Sequence, residues 1–256
     1  MNTLLGVVRL FVVGSVLLVG FLVVMPASLL PVRIRRASLA LWIVLFMSRV
    51  FLWVFRVQVH CSDVDRLRRH EGFIFPNHHS YLESLIFLSI TPVRFLAAIE
   101  VSRRPVTGLI ARAIGTIFVA RNDRQSRVQA RLAITRALKN APYPPVVLYP
   151  EGKLGPGEKL NPFRFGAFEM AAENSIPFLP VAVHFDPIEV AVWRGGAGES
   201  LMDALWRLAR YTGPVRVKLT LMATYHPSGD DDARQIALMT QSAIAQELQL
   251  PVAEVA

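Results

Sequence analysis

The chain has 256 residues, 53% of them hydrophobic, and 28 basic against 19 acidic side chains give it a formal net charge of +9. That length allows one sizeable domain with an appendage, and a single cysteine, Cys61, excludes an internal disulfide and suits a reducing compartment. A basic balance points to nucleic acid or to an anionic membrane surface. The sequence shows no recognisable nucleic-acid module and its cations adjoin apolar segments, so the pattern favours the membrane over nucleic acid.

The mean hydropathy of +0.40 is carried by the N-terminus. Residues 10–32 contain no charge, with Pro26 and Pro31 near the end of the run. Extended back through Leu4, this stretch is long enough to span or deeply enter a bilayer as a helix. A second apolar stretch, residues 37–48, stops at Arg49 and is expected to lie at the interface or fold back beside the first. A cleaved signal peptide is the competing reading. Against it, Arg9 is the only basic residue ahead of the run, and another apolar segment follows at once. Arg33, Arg35 and Arg36 follow the first run directly, where they attract anionic headgroups and favour a cytoplasmic loop. The expected organisation is a membrane-anchoring helical segment over 1–57 and an α/β domain over 58–256. That domain is expected to face the cytoplasm, from the inner membrane in a bacterium.

Beyond Arg56 strand and helix signals alternate. Strands are expected at residues 73–76, 94–97, 116–120, 146–149, 178–184 and 215–222. Helices are expected at 82–90, 106–114, 124–140, 165–174, 201–211 and 232–248. This order predicts an α/β fold, a mixed sheet covered by helices, preceded by a membrane-associated helical pair. In the helix at 124–140, Val128, Leu132, Ala133 and Ala137 read as the buried face, and Arg124, Arg127, Arg131 and Arg136 as a solvated basic face.

Reactive residues of open α/β sheets collect beyond strand C-termini. Three loops here fit: PNHHSYLE after the first expected strand, ARND after the third and PEGKLG after the fourth. In the first, Ser80 and Glu83 have the spacing of a capping box, which by itself announces only a helix start. His78 and Glu83 would lie about 140° apart on one continuous helix. They can meet only if His78 sits in the loop and the helix begins near Ser80. Glu83 could then fix one imidazole nitrogen and leave the other to take a proton from a hydroxyl. His79, four residues from Glu83, is the rival base. His60, Cys61, His78, His79 and Glu83 are candidate metal ligands, but adjacent His60-Cys61 and His78-His79 pairs are unlike common zinc spacings, and no metal or bound cofactor is expected. No Gly-x-Ser-x-Gly nucleophile is present. A His-carboxylate pair without a protein nucleophile suggests direct transfer, with the hydroxyl of a lipid substrate as nucleophile.

These residues resemble the glycerolipid acyltransferases of the 1-acylglycerol-3-phosphate acyltransferase type. The family's Asn-His-x-Ser-x-x-Asp is met by Asn77, His78, Ser80 and, with Glu for Asp, Glu83. Its Gly-x-x-Phe-x-x-Arg is met by Gly115, Phe118 and Arg121, and its Pro-Glu-Gly-Thr-Arg in part by Pro150, Glu151 and Gly152. Phe163, Gly166, Ala167 and Phe168, then Ile176, Pro177, Pro180 and Val181, match the later motifs. The resemblance covers about half the chain and implies that His78 is the general base and Glu83 its orienting partner. It also implies an acyl thioester of coenzyme A or acyl carrier protein as donor, with Arg121 and the Glu151-Gly152 loop holding the acceptor. Asn77, Ser80, Gly115, Phe118 and Lys153 complete the expected substrate-binding set. Two departures stand out. Lys153-Leu154 replaces Thr-Arg, and Phe95 to Glu100 lacks the family's lysine. Losing those cations fits a roomier, less charged pocket, a lysophospholipid acceptor, and a closer likeness to lysophospholipid acyltransferases and tafazzin-like transacylases. The runners-up are synthesis of phosphatidic acid and, from another class, a non-catalytic membrane protein that binds lipid or acyl carrier.

Overall fold

The computed structural model describes residues 2–120, 122–155, 157–193 and 199–253. The chain opens with α1 (Thr3–Leu29), a tight hairpin of β1 (Arg33–Ile34) and β2 (Ala37–Ser38), and α2 (Leu39–Val54). There follow β3 (Val57–Cys61), α3 (Val64–Arg69), β4 (Phe73–Pro76), α4 (Glu83–Ile90), β5 (Arg94–Ala98), α5 (Ile99–Ser102), α6 (Thr107–Ala113), β6 (Ile117–Val119) and α7 (Arg124–Asn140). The last part holds β7 (Val146–Val147), α8 (Gly166–Glu173), β8 (Phe178–Asp186), α9 (Ile188–Ala191), α10 (Leu201–Arg210), β9 (Val215–Leu221) and α11 (Ala233–Leu248).

Among the described residues the main sheet has the order β3-β9-β8-β4-β7-β5-β6, and every neighbouring pair is parallel except β8 with β9. This is the mixed, helix-covered sheet that the alternation predicts. The sequence reading missed β3, which pairs along its whole length with β9. Parallel strands need cover on both faces, and β4, buried at all four residues, shows how it is supplied. Ile74 joins the core under α1, α2, α4, α6, α9 and α10, whereas Phe73 and Phe75 join the opposite core under α7, α8 and α11. Period-2 alternation along one strand therefore feeds two separate apolar layers.

The N-terminal helices belong to the first layer. One stripe of α1 is buried, comprising Gly6, Arg9, Val13, Gly20, Val24 and Ala27. The other faces outward with Leu4, Val7, Phe11, Leu18 and Leu22 exposed. Pro26 lies inside the last turn and does not end the helix. Gly20 is there for closeness: a Cβ on it would stand 2.1 Å from Cε of Met47 on α2. The Arg9 guanidinium, 5% exposed, donates to the carbonyls of Ala209 and Tyr211, the free acceptors at the end of α10. The second helix outruns the expected residues 37–48, because Arg49 does not stop it. Its guanidinium leaves the apolar face and donates to the carbonyl of Ser89 at 2.7 Å. Arg35 and Arg36 occupy the hairpin corner with φ of 47° and 69°.

The face expected of α7 is corrected. Ala130, Ile134 and Leu138 are its buried residues, while Val128 and Leu132 are exposed at 47% and 45%. Both stripes have helical spacing, and only the position of the sheet selects between them.

Candidate active site

The loop after β4 is built by three buried side chains. Asn77 Oδ1 accepts from the Val183 amide at 2.7 Å and its Nδ2 donates to the Val183 carbonyl at 3.0 Å, so the side chain extends the β4–β8 ladder beyond Pro76. Ser80 Oγ donates to the Ala191 carbonyl and accepts from the Leu82 amide. The expected capping box does not form, because the N-cap of α4 is Leu82 and makes no side-chain cap. Glu83 is instead turned back over the loop. One oxygen accepts from the amides of His79 at 2.7 Å and Ser80 at 2.9 Å, and the other lies 2.6 Å from Nδ1 of His78. Glu83 is fully buried, so the pairing is screened from water.

His78 is held in three ways. Its Nδ1–H donates to Glu83, which leaves Nε2 as the basic nitrogen. Its ring stacks on Tyr149 with centroids 3.8 Å apart and planes 20° apart. Its amide donates to Oε1 of Glu151 at 2.6 Å. The extra carbon of glutamate at position 83 therefore does not prevent contact. His79 meets a different environment. It is 1% exposed, its Nδ1 accepts from Asn77 Nδ2 at 3.3 Å, and burial lowers its pKa, keeping it neutral. The loop after Glu151 closes over it: the Gly155 amide donates to the His78 carbonyl at 2.6 Å, and a Cβ on Gly155 would come within 2.9 Å of the His79 ring.

A cavity of about 950 Å³ opens beside His78. The first-layer helices give it an apolar lining that includes Leu85, Ile110, Met47, Leu17 and Val13. The lining also includes five cations, Arg104, Arg127, Arg131, Lys153 and Arg164. The expectation of a weakly charged pocket is corrected here. Ala98 and Leu154 do line the cavity, but cations from α7 and from loops line it as well.

Of the expected site residues, His78, Gly152 and Lys153 line this cavity, and Glu83 stands directly behind His78. Asn77, Ser80 and Glu151 are spent on the scaffold. Glu151 is 1% exposed and ties the His78 amide to that of Asn161, and burial pushes its pKa up to about 8. Gly115, at φ 79°, ends the turn after α6, and Phe118 pairs with Ala97 in the sheet. Their neighbours Thr116 and Val119 reach the cavity instead. Arg121 lies outside the described residues. Sequence reasoning missed Tyr149, although its place at a strand end just before Pro150-Glu151 was the available signal. Among the described residues no three His, Cys, Asp or Glu side chains converge as a metal site.

Residues 57–184 match the family described as Acyltransferase. Lyso-ornithine lipid O-acyltransferase of Rhizobium meliloti is 30% identical over 191 residues, which cover 72% of this chain and 62% of that protein. Lysophospholipid acyltransferase LPEAT1 of Arabidopsis thaliana is 27% identical over 72% of this chain and 46% of its own length. The 1-acyl-sn-glycerol-3-phosphate acyltransferase of Neisseria gonorrhoeae is 28% identical over 52% of each chain. The match thus spans less than two thirds of these relatives. The crystal structure of the 1-acyl-sn-glycerophosphate acyltransferase PlsC from Thermotoga maritima shares the fold, with a TM-score of 0.74 over 97% of this chain and 95% of that one, at 17% identity.

Proposed function

Because the chain belongs to the acyltransferase family, we propose that it transfers a fatty acyl group from a thioester of coenzyme A or acyl carrier protein to the free hydroxyl of a lysophospholipid or related glycerolipid. The observation that carries this is the 2.6 Å contact of His78 Nδ1 with the buried Glu83, at the wall of a cavity whose lining holds both apolar and basic side chains. His78 Nε2 takes the hydroxyl proton as the oxygen attacks the thioester carbonyl. The tetrahedral intermediate collapses with cleavage of the C–S bond, and the imidazolium returns the proton to the leaving thiolate. Glu83 stabilises the imidazolium and holds the tautomer, and Tyr149 keeps the ring plane.

Two acceptors have support. Leu154 and Ala98 in the lining favour a lysophospholipid, whose bulky headgroup needs room. The cations in the lining favour a phosphomonoester such as 1-acylglycerol-3-phosphate, which arginines bind through charge-assisted hydrogen bonds. Purified protein in detergent, given labelled acyl thioester and a panel of both acceptor classes, decides between them. No transfer to any acceptor overturns the enzymatic reading and leaves the binding protein.

The N-terminal helices provide the membrane seat. By length and composition α1 could cross a bilayer. Its buried stripe is docked on α2, α6 and α10, with Arg9 fastened to the end of α10. A helix held along the domain lies in one leaflet, and Phe11, Leu18, Phe46 and Trp53 form the face that enters it.

A further inference from the structure

Helix α7 contains Arg124, Arg127, Arg131, Arg136 and Lys139 and no acidic residue. Its outward side carries Val128 and Leu132, both about half exposed, between Arg124 and Arg136. Nearby, Arg131 meets Glu169 at 3.0 Å in a pair that is 44% and 43% exposed, and such surface pairs hold their charges weakly. Asp123, next to the helix, caps it by accepting from the Gln125 amide. The N-terminal half of the same helix reaches the reaction cavity, where Arg127, Ala130 and Arg131 form part of the wall beside Lys153 and Arg164.

We propose that the outward face of α7 docks an acidic protein that presents the acyl thioester on a pantetheine arm. This rests on the thioester-transfer reading above and chooses between its two donors. Three observations favour a protein over the other anions. The cations from Arg124 to Lys139 spread over roughly 22 Å of helix, too long for the phosphates of one nucleotide and suited to the acidic face of a partner. The exposed Val128 and Leu132 offer the apolar centre that a basic rim surrounds in protein interfaces. Above all, α7 covers the face of the sheet opposite α1 and α2, so it points away from the bilayer those helices enter. The cavity then connects the two sides: lipid enters under the first layer and the thioester arm from beside α7.

The test uses the full chain in phosphatidylglycerol and phosphatidylethanolamine vesicles, with a bacterial acyl carrier protein loaded with palmitate and with palmitoyl-CoA as alternative donors. The double variant Arg124→Glu, Arg136→Glu changes exposed residues outside the cavity. The expected result is a rise of about tenfold in KM for the carrier-protein donor, with kcat and the palmitoyl-CoA parameters within about twofold. Vesicle binding stays unchanged, and added salt raises the wild-type KM for the carrier protein. Equal loss with both donors, no change with either, or loss of vesicle binding overturns the proposal. Binding of the labelled carrier protein is measured separately. If the wild type transfers from neither donor, the enzymatic reading fails, yet retained binding in the wild type and its loss in the variant still support this surface. Absence of binding in a wild type that uses palmitoyl-CoA overturns the surface and leaves the enzyme.

Discussion

The two faces of the sheet are covered by helices of opposite character. On one, α1 and α2 leave Phe11, Leu18, Leu22, Phe46 and Trp53 in the open. On the other, α7 shows five cations without a single carboxylate of its own. Large exposed apolar side chains grouped on one side mark an interaction or membrane face, and a one-sign charged helix marks an electrostatic one. The seam between them, at the C-terminal ends of β4 and β7, holds His78 and its cavity. The contrast teaches that one sheet can separate an apolar surface from a basic one and keep a histidine–glutamate pair between them, which is the arrangement the proposed two-sided delivery of lipid and donor requires.

The sharpest way to break that picture is at the seam. His78→Ala is expected to lower kcat by about 10²–10⁴-fold, the usual cost of a lost general base, while vesicle binding and the melting temperature stay close to wild type. A dead His79→Ala with an active His78→Ala would place the base on the wrong neighbour. The apolar face comes next. Phe46→Ser with Trp53→Ser removes two large exposed side chains, each worth about 1.5–3 kcal/mol on entering an apolar phase, so vesicle partitioning should fall by about 10²–10⁴-fold. Unchanged sedimentation with vesicles would take the membrane away from this face.

His79→Ala should be milder in turnover, less than about tenfold. It should cost about 1–3 kcal/mol of stability, since it empties a buried site and removes the contact that Asn77 Nδ2 makes besides its bond to the Val183 carbonyl; a urea titration reads the second effect and initial rates the first. The smallest effect expected is a pH slope. Burial raises the Glu151 carboxyl to about 8 from an ordinary 4.5, so the folded chain binds more protons than the unfolded one between those values, and stability falls as pH rises through them. His70, pushed down to about 4 from 6.5, gives the opposite slope below 6.5. Of these two groups only Glu151 still titrates between pH 6.5 and 8, and Glu151→Gln should flatten the decline in melting temperature there. An unaltered slope in the variant would assign the decline to another group.

Much of this was legible in the residues. Strand and helix alternation appears in apolar periodicity, so the α/β architecture and most elements follow from it, with ends displaced by a few residues. The long apolar N-terminal helix follows from composition. His78 and Glu83 are marked by five-residue spacing at a strand end, and the loop between them supplies the turn that lets them meet. These are local properties, fixed by neighbours in the chain.

What the sequence left open depended on distant partners. Two stripes of α7 are equally apolar, and only the sheet beneath decides that Ala130, Ile134 and Leu138 go inside. Asn77, Ser80 and Glu151 look like substrate ligands beside a histidine, but Val183, Ala191 and Asn161, from 10 to 111 residues away, use up their hydrogen bonds. The cations missing from the expected positions are replaced at the cavity by arginines of a helix packed there only in the folded chain. Residue type and spacing determine which elements form, because propensity and periodicity act over a few residues. Tertiary packing alone determines which face turns inward and which polar groups stay free, because those depend on which buried donors and acceptors the fold brings within reach.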